Sequence, residues 1–263
     1  MKLRINNFWM HYEDQGQGIP LLLIHGFPLN NTLWQPQIAS LKDVARVITP
    51  DLRGFGASEA VNSISTMETL ATDCLNLLDN LNIHEPVFVG GLSMGGYITF
   101  SFHRLFPEKV KGLILAATRP GVDSPEGKAN RDRLAQLAQE RGSEAVAADM
   151  LPKMFSPKTY QNKLSLVENT RQMMASTSVY GIIGALMGMK NRIDSTPLLP
   201  DIHKPVLILH GSDDQLIPLK EAEAMQGTIP GAKLCILPEA GHLLNLEQPD
   251  LSNQYIKDFL ISV

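Results

Sequence analysis

The sequence predicts an α/β protein built on a mostly parallel sheet, and three observations carry that reading. Short apolar runs bounded by turn residues recur at Leu21–Ile24, Val44–Ile48, Val87–Val89, Gly112–Ala116, Val206–Leu209 and Leu234–Leu237, as expected of strands buried on both faces. Helical patterns alternate with several of them, which is the rhythm of helices packed on a parallel sheet. Finally, Gly90-Gly91-Leu92-Ser93-Met94-Gly95-Gly96 sits between a buried strand and a helix and packs four glycines around one serine.

Taken in chain order, residues 2–14 read as two short antiparallel strands that end at a loop containing Gly16 and Gly18. The first long strand runs into His25-Gly26-Phe27-Pro28, a loop suited to presenting backbone amides. Trp34, shortly after it, is a candidate wall of a pocket, although core packing also accounts for one tryptophan. The next strand leads to Asp51-Leu52-Arg53-Gly54-Phe55-Gly56-Ala57-Ser58. A helix is expected over residues 67–81, with Met67, Leu70, Ala71, Cys74, Leu77, Leu78 and Leu81 on one face and Ser65 with Glu68 as a capping box. The serine corner follows, with a helix over residues 97–106.

After Ala117 the alternation stops, and residues 119–195 read as helices only, an inserted subdomain between core segments 1–118 and 196–263. Pro120, Gly121 and Pro125 open it, Pro197 and Pro200 close it, and residues 131–141, 144–154 and 158–174 carry helical patterns. Methionine is dense here. Met150, Met154 and Met187 are candidates for an adaptable apolar wall over a substrate pocket, against core packing as the plain alternative. Arg119, at the C-terminal edge of the sheet, could bind a substrate carboxylate or pair with Asp123 or Glu126 and anchor the insertion.

Composition limits the function classes. The 263 residues, 29.0 kDa and 44% hydrophobic content allow one large core with an insertion. A net charge of −4 with scattered Lys and Arg gives no footprint for nucleic acid or an acidic membrane. Cys74 and Cys235 lie far apart and form neither a zinc pattern nor a disulfide framework, so both are expected to be buried free thiols. The N-terminal residues have no apolar signal core and no segment reaches a membrane span, which points to a cytoplasmic protein. No cofactor or metal is expected.

The chemistry is expected at Ser93. Glycines flanking it remove the Cβ atoms that would collide at a sharp strand-to-helix turn, the geometry that exposes a nucleophilic serine. A serine hydroxyl needs a base to take its proton. His242, in a loop after the last predicted strand, is the expected base, and it needs a carboxylate to fix its tautomer. Asp214 is the leading candidate and its neighbour Asp213 the second. The backbone amides of Phe27 and Met94 are the expected oxyanion donors, whereas His25 is read as structural.

With these residues in place the chain resembles the α/β-hydrolases, by the order Ser93, Asp214, His242 and by the stretches His25-Gly26-Phe27-Pro28 and Asp51-Leu52-Arg53-Gly54-Phe55-Gly56-Ala57-Ser58. The resemblance implies an eight-stranded, mostly parallel sheet with helices on both faces and a helical cap inserted after the sixth strand. It also implies a structural Asp51-to-Ser58 loop, held by an Asp51–Arg53 ion pair. Serine at the corner separates the chain from haloalkane dehalogenases and epoxide hydrolases, which use aspartate there, and from dienelactone hydrolases, which use cysteine. The implied activity is cofactor-free hydrolysis of small to medium carboxylic esters. A lactonase similar to the 3-oxoadipate enol-lactonases is the alternative within that mechanism, and a non-catalytic ligand receptor or regulatory partner is the alternative of another class.

Overall fold

The computed structural model describes residues 1–263. In chain order it contains β1 (Lys2–Ile5), β2 (Phe8–Gln15), β3 (Ile19–Ile24), α1 (Gln35–Leu41), β4 (Ala45–Pro50), α2 (Met67–Asn80), β5 (Val87–Leu92), α3 (Met94–Leu105) and β6 (Val110–Ala116). Helices α4 (Pro125–Met150), α5 (Pro157–Asn162), α6 (Leu164–Ala175) and α7 (Val179–Lys190) follow, then β7 (Val206–Gly211), α8 (Leu219–Thr228), β8 (Lys233–Leu237), α9 (Leu244–Glu247) and α10 (Pro249–Ser262).

The strands form one eight-stranded sheet in the order β1-β2-β4-β3-β5-β6-β7-β8. Only the β1–β2 and β2–β4 pairings are antiparallel. The pleat sends alternate residues to opposite faces, and the sequence uses this: Leu22, Val89, Leu113 and Ile208 enter one core, while Leu21, Phe88, Ile114 and Leu207 enter the other. Helices α2, α3 and α8 cover the first face and α1, α9 and α10 the second. The buried stripe of α2, including Leu70, Cys74 and Leu77, is 0% exposed, each leucine contributing about 1.5–3 kcal/mol relative to an exposed side chain.

Two local expectations are corrected. Thr66, not Ser65 with Glu68, caps α2: its side chain accepts from the Thr69 amide, and Glu68 turns outward to pair with Arg104. Arg53 does not pair with Asp51. It forms a two-pronged bond to Asp73 on α2, with both N–O distances 2.7 Å, and lies over the Phe8 ring. Asp51 instead accepts from the amides of Asn31 and Ala57 and lies 2.9 Å from His11 Nδ1, so the loop is held by two separate carboxylates.

The excursion between β6 and β7 is the helical cap. Gly142, at φ 77° and ψ −178°, breaks α4 into two arms, matching the gap between the helices expected over 131–141 and 144–154. The second arm stops at Met150 because Pro152 cannot continue it. The single helix expected over 158–174 is divided at Lys163, which leaves the helical region at φ −129° and ψ 48°. No helix is long and apolar enough to cross a membrane.

Candidate active site

Because β3 and β5–β8 run parallel, the loops after them emerge at one edge of the sheet. The chain turns outward in opposite directions from β3 and β5, and such a reversal opens a crevice at the strands' carboxyl ends. Phe27 follows β3 and Ser93 follows β5, so they flank that crevice.

Ser93 sits at φ 56° and ψ −110°, a conformation that costs on the order of 1–3 kcal/mol for a residue with a Cβ. Close packing holds it there. A Cβ on Gly91 would land on the backbone of Gly95, and one on Gly95 would land on the Ile24 carbonyl, so neither site admits another residue. The Ser93 amide donates to Ala116 O at 2.9 Å, and its carbonyl accepts from Thr118 Oγ1 at 2.8 Å and from the Gly96 amide at 2.9 Å. The hydroxyl makes no capping bond to α3, which leaves it free for another role.

His242 is 2% exposed, and its Nδ1 lies 2.9 Å from Asp214 Oδ2, whose side chain is fully buried. The other oxygen, Oδ1, accepts from the amides of Leu216 and Ile217 at 2.8 and 3.1 Å. Burial raises the Asp214 carboxyl, but the imidazole of His242 beside it, the hydrogen bond between them and those two amides outweigh burial and hold it below the usual carboxylate range. An ionised partner fixes the proton of His242 on Nδ1 and leaves Nε2 as an acceptor. Asp213 points to solvent, accepting from Ser212 Oγ. The two loops are cross-tied by the Asp213 amide to Ala240 O, 2.8 Å, and by the Glu239 amide to Ser212 Oγ, 2.9 Å.

His25 and His210 have different tasks. Nδ1 of His25 donates to Gly26 O and Nε2 accepts from the Leu52 amide, so this fully buried ring ties the β3 loop to the loop after β4. His210 Nε2 donates to Ile217 O and closes the Asp214 loop. Burial lowers the pKa of both rings.

A cavity of about 210 Å³ is lined by Ser93, His242, Phe27, Arg119 and Met150 together with cap residues the sequence did not reveal. The amides of Phe27 and Met94 have no hydrogen-bond acceptor within the protein. Three candidate pocket residues lie elsewhere. Trp34 and Met154, 1% and 0% exposed, pack in the core on the α1 and α10 face. Met187 faces a separate surface groove with Ile64 and Tyr180. Side-chain direction along a cap helix depends on how the cap docks, which residue type does not encode.

The cavity's cap wall is charged. Arg119, Arg131, Arg133 and Lys153 line it with Asp123 and Asp149, leaving two positive charges in excess. Asp123 is shared by three guanidinium groups: Arg119 at 2.7 Å, Arg131 at 3.0 Å and Arg192 at 3.0 Å. Burial raises its carboxyl, but Arg131 and Arg192 more than offset that and hold it low. Arg119 therefore anchors the insertion and also faces the cavity.

The family model described as alpha/beta hydrolase fold matches residues 19–249. The chain belongs to the α/β-hydrolase fold family. A thermophilic esterase from Thermogutta terrifontis is 41% identical with a TM-score of 0.96, over 100% of this chain and 98% of that one. The enol-lactonase from Burkholderia xenovorans LB400 is 27% identical with a TM-score of 0.92, over 99% of this hydrolase-fold chain and all of that one. The 3-oxoadipate enol-lactonase 1 of Acinetobacter baylyi is 30% identical over 231 residues, 88% of this chain and 84% of its own. One esterase structure and one enol-lactonase structure thus share this fold over nearly the whole chain.

Proposed function

We propose that this chain hydrolyses small to medium carboxylic esters through Ser93, His242 and Asp214, with residues 1–118 and 196–263 as the catalytic core and 119–195 as the cap. The observation that carries the reading is one cavity holding both a serine at φ 56° and a histidine whose Nδ1 is 2.9 Å from a buried aspartate. His242 Nε2 takes the Ser93 proton as Oγ attacks the ester carbonyl. The free amides of Phe27 and Met94 receive the negative charge that develops on the carbonyl oxygen. The imidazolium returns its proton to the departing alcohol, and water repeats the cycle on the acyl-enzyme. Asp214 stays ionised throughout and stabilises the imidazolium.

A second reading, an acidic lactone as substrate, is favoured by the excess positive charge on the cap wall. The Thermogutta terrifontis esterase structure is malate bound, and malate is a dicarboxylate. One experiment addresses both readings. A fluorophosphonate probe is expected to modify the wild type and not Ser93→Ala, and a panel of ester chain lengths, acidic esters and enol-lactones, with Ser93→Ala as the blank, ranks the substrates. Labelling that survives in Ser93→Ala, or a panel with no turnover above the blank, overturns the hydrolase reading and leaves a non-catalytic role. Equal turnover of neutral and acidic substrates removes the lactone alternative.

A further inference from the structure

Outside the Ser93 cavity, one buried carboxylate takes no part in the steps above. Glu247, at the end of α9, is 2% exposed and its side chain forms no ion pair. Its oxygens are satisfied by three donors. Oε1 accepts from the Gly241 amide at 2.7 Å, and Oε2 accepts from the Ser156 amide at 2.8 Å and from Thr159 Oγ1 at 2.7 Å. Burying a carboxyl group is expensive unless its oxygens are hydrogen-bonded, so the donors identify what Glu247 fastens. One belongs to the residue before His242, and two belong to the cap.

The residue after His242 is held to the same cap segment. The Leu243 amide donates to Met154 O at 3.1 Å, and a Cβ on Gly241 would lie 2.6 Å from Ser156 N. The backbone of His242 is therefore bracketed, on both sides, by cap residues 154–156. That segment continues directly from Met150 and Lys153, which line the cavity. Lys163 Nζ adds a bond of 2.7 Å from the cap to Glu247 O.

We propose that Glu247 is a positioning residue: it registers the backbone of His242 against cap residues 154–159, so that the base keeps one fixed relation to Ser93. This rests on the hydrolase reading of Ser93 and His242. Misplacing a reacting group by about 1 Å costs up to about a hundredfold in rate, whereas the binding wall formed by Arg119 and Arg131 lies on other contacts. Loss of Glu247 should accordingly act on the chemical step rather than on binding.

The test is Glu247→Gln, which preserves shape but puts an amide NH2 where one of the accepting oxygens stood. Steady-state kinetics on the best ester of the panel and the rate of phosphonylation at saturating fluorophosphonate are measured with circular dichroism and Tm. The expected result is a folded protein whose kcat and phosphonylation rate both fall about ten- to a hundredfold, with KM changed less than about threefold. Lys158→Ala, which removes the exposed cap contact to Glu239, is expected to leave both rates within about twofold. A folded Glu247→Gln with an unchanged phosphonylation rate, or with its whole loss in KM, overturns the proposal. If Glu247→Gln does not fold, Thr159→Val decides it, since that variant removes one cap-side donor and keeps the carboxylate on Gly241: a lower kcat at constant KM supports the proposal, and an unchanged kcat overturns it. A wild type that resists the probe defeats the hydrolase reading itself, a result distinct from one in which only Glu247 proves dispensable.

Discussion

Asp213 and Asp214 have identical side chains one residue apart, and their surroundings separate them. The Asp214 carboxylate is fully buried with two amides and an imidazole around it, while that of Asp213 meets only a serine hydroxyl at the surface. Asp214→Asn would present an NH2 group to His242 Nδ1 and favour the tautomer that cannot accept a proton from Ser93. We expect kcat to fall by about three to four orders of magnitude and Asp213→Asn to stay within about twofold, measured with the same ester. Equal losses in the two variants would dismiss the assignment of Asp214. At this scale the placement of Ser93 at a strand-to-helix corner and of His242 in a strand-end loop was legible because each lies in a short motif whose backbone demands are local. Arg131, Arg133 and Lys153 were not legible. A charged residue on a cap helix reads as a solvated face until the docking of the helix is known.

At the level of elements, the strands were the most legible part, since burial on both faces leaves an uninterrupted apolar run. Boundaries within the cap were less so: Lys163 interrupts a pattern that is continuous in hydrophobicity, and α7 is apolar enough that no polar face marks its orientation. The loop after β4 illustrates a different failure. Its Asp51 and Arg53 are close in sequence and opposite in charge, yet the guanidinium reaches α2, where Asp73 is 1% exposed in its side chain. Burial raises the Asp73 carboxyl, and the hydrogen bond and charge of Arg53 only partly counter it. Removing the cation by Arg53→Ala leaves Asn6 as the remaining side-chain partner. Urea denaturation is expected to register a loss of about 3–5 kcal/mol, and the double change Arg53→Met with Asp73→Leu a smaller one. A single variant as stable as the wild type would place the strength of this junction elsewhere, in the packing of Phe8 and the loop backbone.

For the whole molecule, the response to acid follows from where the histidines lie. Burial lowers His25, His103 and His210 below the usual imidazole value, with Lys204 adding to the effect at His103. In each case the unfolded chain binds a proton that the folded chain refuses. Their contribution is thus complete above about pH 6.5 and is lost progressively as pH falls toward the lowered folded values. Asp214, also held low, adds a loss of the same sign further into acid. Differential scanning calorimetry between about pH 7 and pH 5 should find Tm falling steadily. A constant or rising Tm over that interval contradicts the buried, neutral state assigned to these rings.

The cap interrupts the sheet between β6 and β7, so the strands that carry Asp214 and His242 are the last to be made. In a chain leaving the ribosome, the serine corner is complete well before the histidine arrives 149 residues later, an interval of roughly 7–30 s at ordinary translation rates. Under the proposed mechanism every nascent or prematurely terminated chain is inert toward cellular esters, and hydrolytic competence begins only when β7 and β8 zip onto the sheet edge left open by β6.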